Sequence, residues 1–180
     1  MERTNTKRPR IAILACDPSI RGWGYSVICN EQIIEVGCIK TEPKAKKLRT
    51  RKGDDNVRRF EEIDQKLLEI IKRNDIKYIV SELPHGSQSA SAAYMLGAAT
   101  AIMKTIADCN DIGLEWFSEG DSKKQVLGKL SAEKKEMVRA ISKLYKVPWT
   151  GVQYIDEAIA DSLGVYHAAK NQSSALKLIK

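Results

Sequence analysis

Ile11-Ala-Ile-Leu-Ala-Cys-Asp-Pro-Ser-Ile-Arg-Gly-Trp-Gly-Tyr-Ser-Val-Ile28 is the stretch that decides the fold. The apolar run Ile11–Cys16 is too short for a helix and long enough for a buried strand. It ends on a carboxylate, Asp17, and Pro18 then removes a backbone donor and stops regular pairing. Ser19 to Gly24 carry turn chemistry, with two glycines to admit positive φ. Tyr25–Cys29 resume as a second strand and Ile33–Lys40 as a third. One acid therefore stands at the mouth of a hairpin, where a buried sheet meets solvent. Asp before Pro is also an ordinary turn cap, so Asp17 acquires meaning only from what joins it.

Outward from this hairpin, Val57, Phe60, Ile63, Leu67, Ile70 and Ile71 recur at helical spacing. Lys77–Glu82 is a short strand that again ends in a carboxylate, and Pro84 and Gly86 break the chain after it. A helix rich in small residues runs from about Gln88 to Cys109, and Gly113–Phe117 is a fifth strand. Met137, Val138, Ile141 and Leu144 form the apolar face of a helix that starts near Ser131 and Lys134, and a last helix spans about Asp156 to Ala169. Strands joined by short turns are antiparallel, and strands reached through a helix are parallel. The predicted fold is α/β: a mixed five-stranded sheet, three antiparallel strands then parallel ones, flanked by helices. The predicted organisation is a basic arm at 1–10, one domain at 11–170 with a basic insertion near 41–56, and a polar, fraying tail at 171–180.

A chain of 180 residues with 43% hydrophobic and 29% charged residues suits one soluble globular domain. Its net charge of +7 favours an anionic partner. Cys16, Cys29, Cys38 and Cys109 form no C-x-x-C pair, and we read them as reduced core residues of a cytoplasmic protein rather than a zinc site or disulfide framework. No membrane span and no secretory leader are expected. Between Lys40 and Arg59, nine basic residues face three acidic ones, almost the whole excess of the protein. With few apolar residues, this segment reads as a mobile loop in which Lys46, Lys47, Arg49, Arg51 and Lys52 contact phosphates. Lys123 to Lys146 holds a second cluster, eight basic residues against two acidic ones.

If the first and fourth strands are parallel neighbours, Asp17 and Glu82 share the carboxyl edge where open α/β sheets bind ligands. On the last helix, Glu157 and Asp161 are four apart and share a face. Asp156 is five from Asp161, about 140° around an ideal helix, and is the alternative. Both Asp156 and Glu157 also suit a helix N-terminus as dipole complements. Converging carboxylates raise one another's pKa unless a cation neutralises them. Oxygen-only ligands suit Mg²⁺ or Mn²⁺, and two ions roughly 4 Å apart could activate water and stabilise a leaving oxygen. An acidic centre with a basic rim is the electrostatic plan of a metal-dependent nuclease.

These residues resemble the RuvC-type Holliday junction resolvases of the RNase H-like nuclease superfamily. The hairpin Ile13–Ile28 resembles that family's first strand, turn and strand, and Gly37-Cys38-Ile39-Lys40-Thr41 its third strand. Val80-Ser81-Glu82 with Leu96-Gly97, Ser131-Ala132-Glu133-Lys134 and Ala160-Asp161-Ser162-Leu163 follow in the family's order. The resemblance implies a homodimeric endonuclease that resolves four-way junctions, and other branched DNA, by paired Mg²⁺-dependent nicks. It implies metal ligands at Asp17, Glu82 and Asp161, and a catalytic lysine at Lys134. Lys123 or Lys124 matches another lysine, and His85 and Gln88 fall where DNA contacts are expected. The family's fourth ligand lies three residues before the last Asp; here that residue is Ala158, so Glu157, or Asp156, must substitute. His85 stands where the bacterial enzymes carry an aromatic wedge. These departures fit a phage or viral relative. The alternatives are a non-cleaving branched-DNA-binding protein of the same fold, which Ala158 keeps open, and an RNase H-type hybrid nuclease.

Overall fold

The computed structural model describes residues 11–44, 50–87 and 89–178. Lys46, Lys47, Arg49 and Gln88, expected to meet DNA, lie outside the described residues. Strand β1 (Ala12–Asp17) pairs antiparallel with β2 (Gly22–Cys29), and β2 with β3 (Gln32–Lys40). Asn30 and Glu31 join β2 to β3 with φ of 50° and 64°, the left-handed pair of a tight hairpin turn. Helix α1 (Lys52–Asn74) ends at Asp75 in the same conformation and leads directly into β4 (Ile76–Glu82). Helix α2 (Ala90–Cys109) returns to β5 (Gly113–Phe117). Three helices follow, α3 (Glu119–Leu127), α4 (Lys134–Leu144) and α5 (Gln153–Gln172), and then the short α6 (Ser174–Leu178).

The sheet order is β3-β2-β1-β4-β5, with β1, β4 and β5 parallel. The expected mixed five-stranded sheet is what forms. Strand alternation splits its core into two faces. Leu14, Cys16 and Ile79 pack under α1 and α2 against Ile63, Leu67 and Met103. Ala15, Val80 and Phe117 pack under α4 and α5 against Ile141, Ile159 and Leu163. Asp17 has the parity of Ala15, and Glu82 that of Val80. Both acids therefore face the α5 side of the sheet.

Four expectations need correction. The charged segment is no loop from residue 52 onward, because α1 begins at Lys52. Asp55 is buried there, accepts the Lys44 N–H at 2.9 Å and pairs with Arg58 at 2.7 Å. Buried Arg59 donates to Thr41 Oγ1 at 2.9 Å and to the Ile20 carbonyl at 3.1 Å, tying α1 to the turn after Asp17. The sequence between Phe117 and Ser131 hides a helix, α3, opened by a capping box of Ser118 and Asp121. The tail does not fray at residue 171: α5 continues to Gln172 and α6 buries Leu176. Cys109 is exposed at the end of α2, while Cys16 and Cys29 are buried. Among the described residues no helix is long and apolar enough to cross a membrane.

Candidate active site

The parallel register places Cys16 beside Ser81, so Asp17 and Glu82 stand one residue beyond that pair on adjacent strands. Next to them, Glu82 pairs with Phe117 at the end of β5, and the Leu83 N–H donates to the Phe117 carbonyl at 2.8 Å. Helix α5 crosses this edge closely. A Cβ on Gly24, the residue paired with Asp17, would lie 2.1 Å from the Ala158 carbonyl oxygen. One turn later the buried Ser26 and Ser162 hydroxyls bond at 2.6 Å, and Ser162 also donates to the Ile159 carbonyl at 2.8 Å. These contacts fix the rotation and height of α5, and with them the position of Asp161.

Asp17, Glu82 and Asp161 line one open cleft of about 320 Å³, together with Glu119, Lys123, Lys134 and His85. Burial and mutual repulsion make the three acids reluctant to ionise. Asp17 is raised to about 7, first by desolvation and then by Asp161, with Lys134 opposing. Glu82 is raised to about 8 by desolvation, then by Asp17 and Asp161. Asp161 is raised to about 6 by desolvation, opposed chiefly by Lys134, whose ammonium is 3.9 Å from Asp161 Oδ2. Lys134 opens α4, its side chain 68% exposed, so it reaches over the cleft from the solvent side.

The carboxylate oxygens form a donor set that suits a hard divalent cation rather than zinc. Among the described residues no three His, Cys, Asp or Glu side chains already stand close enough to hold one ion. Holding one ion between them would therefore require these side chains to move closer together.

The remaining expected residues divide. Glu157 is not in the cleft lining and accepts from Gln153 Nε2 at 2.8 Å. Asp156 caps the approach to α5, accepting from Thr150 N–H and Oγ1 at 2.8 Å each and from Gly151 N–H at 3.0 Å. Neither lines the cleft with the other three, although the charge of Glu157 opposes ionisation of Asp161. Lys123 lines the cleft and ion-pairs with Glu119, whereas Lys124 is exposed outside it. His85 is exposed on the cleft's rim. Arg51 is exposed and paired with Asp54 at 2.8 Å. Lys52 lines a second groove, which shares Ser19 and Leu96 with the cleft and adds Arg21. Two lining residues were not singled out from the sequence: Glu119 in the cleft and Arg21 in the groove. The signal for Glu119 was its place two residues after a strand at the same sheet edge.

Residues 13–168 match the family described as crossover junction endodeoxyribonuclease RuvC. The chain is 30% identical over 157 residues to the Shewanella frigidimarina protein of that name, covering 85% of this chain and 83% of the relative. With the Shewanella woodyi protein the identity is 28% over 165 residues, covering 89% and 88%. Among solved structures, Thermus thermophilus RuvC in complex with a Holliday junction substrate superposes with a TM-score of 0.67 at 18% identity, covering 88% of this chain and 92% of that one. The yeast mitochondrial Holliday junction resolvase superposes with a TM-score of 0.58 at 10% identity, covering 91% and 79%.

Proposed function

The chain belongs to the crossover junction endodeoxyribonuclease RuvC family, and from that premise we propose that it cuts four-way DNA junctions by hydrolysing phosphodiester bonds in paired nicks. The observation that carries this reading is the meeting of Asp17, Glu82 and Asp161, from β1, β4 and α5, in one cleft. In this proposal the three carboxylates hold Mg²⁺, or Mn²⁺ in its place, as two ions. Cations held by these carboxylates would supply activation of a water and charge stabilisation at the departing oxygen. Lys134 sits beside Asp161 with its ammonium free to reach solvent, so it meets the negative phosphate at the point of cleavage. Lys123 extends the positive wall of the cleft, and His85 contacts DNA at its rim. Arg21 and Lys52 carry the strand onward along the adjoining groove, through phosphate contacts that fix position rather than sequence.

Paired nicks on a twofold-symmetric junction call for two copies of the site. The outer face of α2 supports a homodimer: Ala90, Ala93, Tyr94, Gly97 and Ala101 are exposed there, and a side chain at Gly97 would meet nothing within 4 Å. The test is nicking of a synthetic four-way junction in Mg²⁺. We expect the wild type to nick symmetrically, and Asp17→Asn to lose at least a hundredfold in rate, on the order of losing one major transition-state interaction, while binding the junction with little change. Binding without nicking by the wild type would reassign the protein as a non-cleaving junction binder. Preference for an RNA–DNA hybrid would reassign it as a hybrid nuclease.

A further inference from the structure

The first turns of α3 bring three side chains to the acidic cleft. Glu119, Ser122 and Lys123 are three and four residues apart, which puts them on one helix face, and all three line the cleft. Glu119 comes two residues after Phe117, the partner of Glu82 in the sheet, so its backbone is held at the same carboxyl edge. The Ser118–Asp121 capping box fixes that first turn. Glu119's charge opposes ionisation of Asp17, of Glu82 and of Asp161 alike. Glu157 acts in this way on Asp161, and less strongly than Glu119 does.

A second, independent feature lies beside it. Ser122 is 2% exposed, and its Oγ has no hydrogen-bond partner among the described residues. A buried hydroxyl left without a partner is costly. At the wall of a cleft it points to an occupant that completes the bond. Ordinary helix chemistry explains an acid in a first turn paired with a lysine four residues on. It does not explain why that pair faces three carboxylates, with an orphan hydroxyl between them. On α5, the residue three before Asp161 is Ala158, buried against Gly24, so that position supplies no carboxylate.

We propose that Glu119 supplies the fourth carboxylate of the cation site, with Ser122 Oγ bonding to the ions' hydration shell. This rests on the cleft being a cation-dependent nuclease site. Glu119 then gives up its ion pair with Lys123 when cations bind, and the freed ammonium turns to a phosphate.

The experiment is calorimetric titration of MnCl₂ into the wild type, Glu119→Gln, Glu119→Asp, Glu157→Gln and Asp17→Asn, without DNA, with a thermal melt to confirm folding. Glu119 is half exposed, with 51% of its side chain accessible, so its variants keep the fold. The expected result is a weakening of Mn²⁺ binding in Glu119→Gln on the order of tenfold and at least threefold. Glu157→Gln should weaken it less, and Glu119→Asp, which keeps the charge, should recover part of the loss. A loss under threefold in Glu119→Gln, or one matched by Glu157→Gln, overturns the assignment of Glu119 and leaves the cleft's function standing. No Mn²⁺ binding by the wild type, or unchanged binding by Asp17→Asn, overturns the cation site itself and Glu119's part in it.

Discussion

Burial and mutual repulsion push Asp17, Glu82 and Asp161 up to about 7, 8 and 6 in the folded protein, whereas exposed carboxylates release their protons near pH 4. Between those limits the folded state holds more protons than the unfolded chain, so the contribution of these groups to stability falls as pH rises. The expected outcome, with divalent ions chelated, is a melting temperature that drops from pH 5.5 to pH 8 and drops less in Asp17→Asn. Mg²⁺ should restore more of it at pH 8 than at pH 6, because metal binding needs deprotonated ligands. A metal-free melting temperature that is flat or rises with pH in the wild type contradicts this account. Asp17 and Glu82 were legible in the sequence because each ends an apolar strand at a chain break. Asp161 was legible because it interrupts the small and apolar residues around it. Glu157 lies outside the cleft lining, because spacing of four from Asp161 fixes a shared side of a helix, not how far toward the sheet that side is turned. Glu119 was hidden in Ser-Glu-Gly-Asp, a stretch indistinguishable from ordinary capping and turn residues.

At the scale of elements, the site depends on how closely α5 lies on β2. Gly24 is the contact that allows it, since any Cβ there enters the Ala158 carbonyl. Gly24→Ala should destabilise the protein by about 3 kcal/mol or more, at the upper end for overpacking, because the obstacle is helix backbone rather than a flexible side chain. Chemical denaturation measures this, and junction nicking should fall further than stability alone explains, because Asp161 moves with the helix. A change under 1 kcal/mol would mean that α5 is free to slide. The strands were readable from short apolar runs between turn residues, and their relative directions followed from connection lengths, whereas the neighbouring of β1 and β4 was only a condition until the fold supplied the order. The start of α1 was not readable, because Lys52 to Asn56 has no apolar period. Its folding rests on Asp55 and Arg59, charged residues buried by pairing with Lys44, Arg58, Thr41 and Ile20. Helix α3 was missed for a similar reason, since its buried residue is Ser122.

Across the whole molecule, charge is arranged as an acidic cleft within a basic chain of net +7. Among the described residues, several basic side chains are engaged within the fold. Arg58 and Arg59 serve the interior, Arg51 is paired with Asp54, and Lys123 is paired with Glu119. Lys134 and Lys52 remain exposed along the cleft and its adjoining groove. Net charge is fixed by composition, but its reach is fixed by folding, and only the first can be summed along a sequence. Centrally, two strand ends and the middle of one helix gather carboxylates to hold divalent cations beside a DNA strand. Anomalous diffraction from crystals soaked in MnCl₂ tests it most directly. The account predicts manganese peaks in the cleft, in contact with oxygens of Asp17 and of Glu82 or Asp161. Manganese bound elsewhere, with the cleft empty in a protein that still nicks junctions in the same buffer, would contradict it.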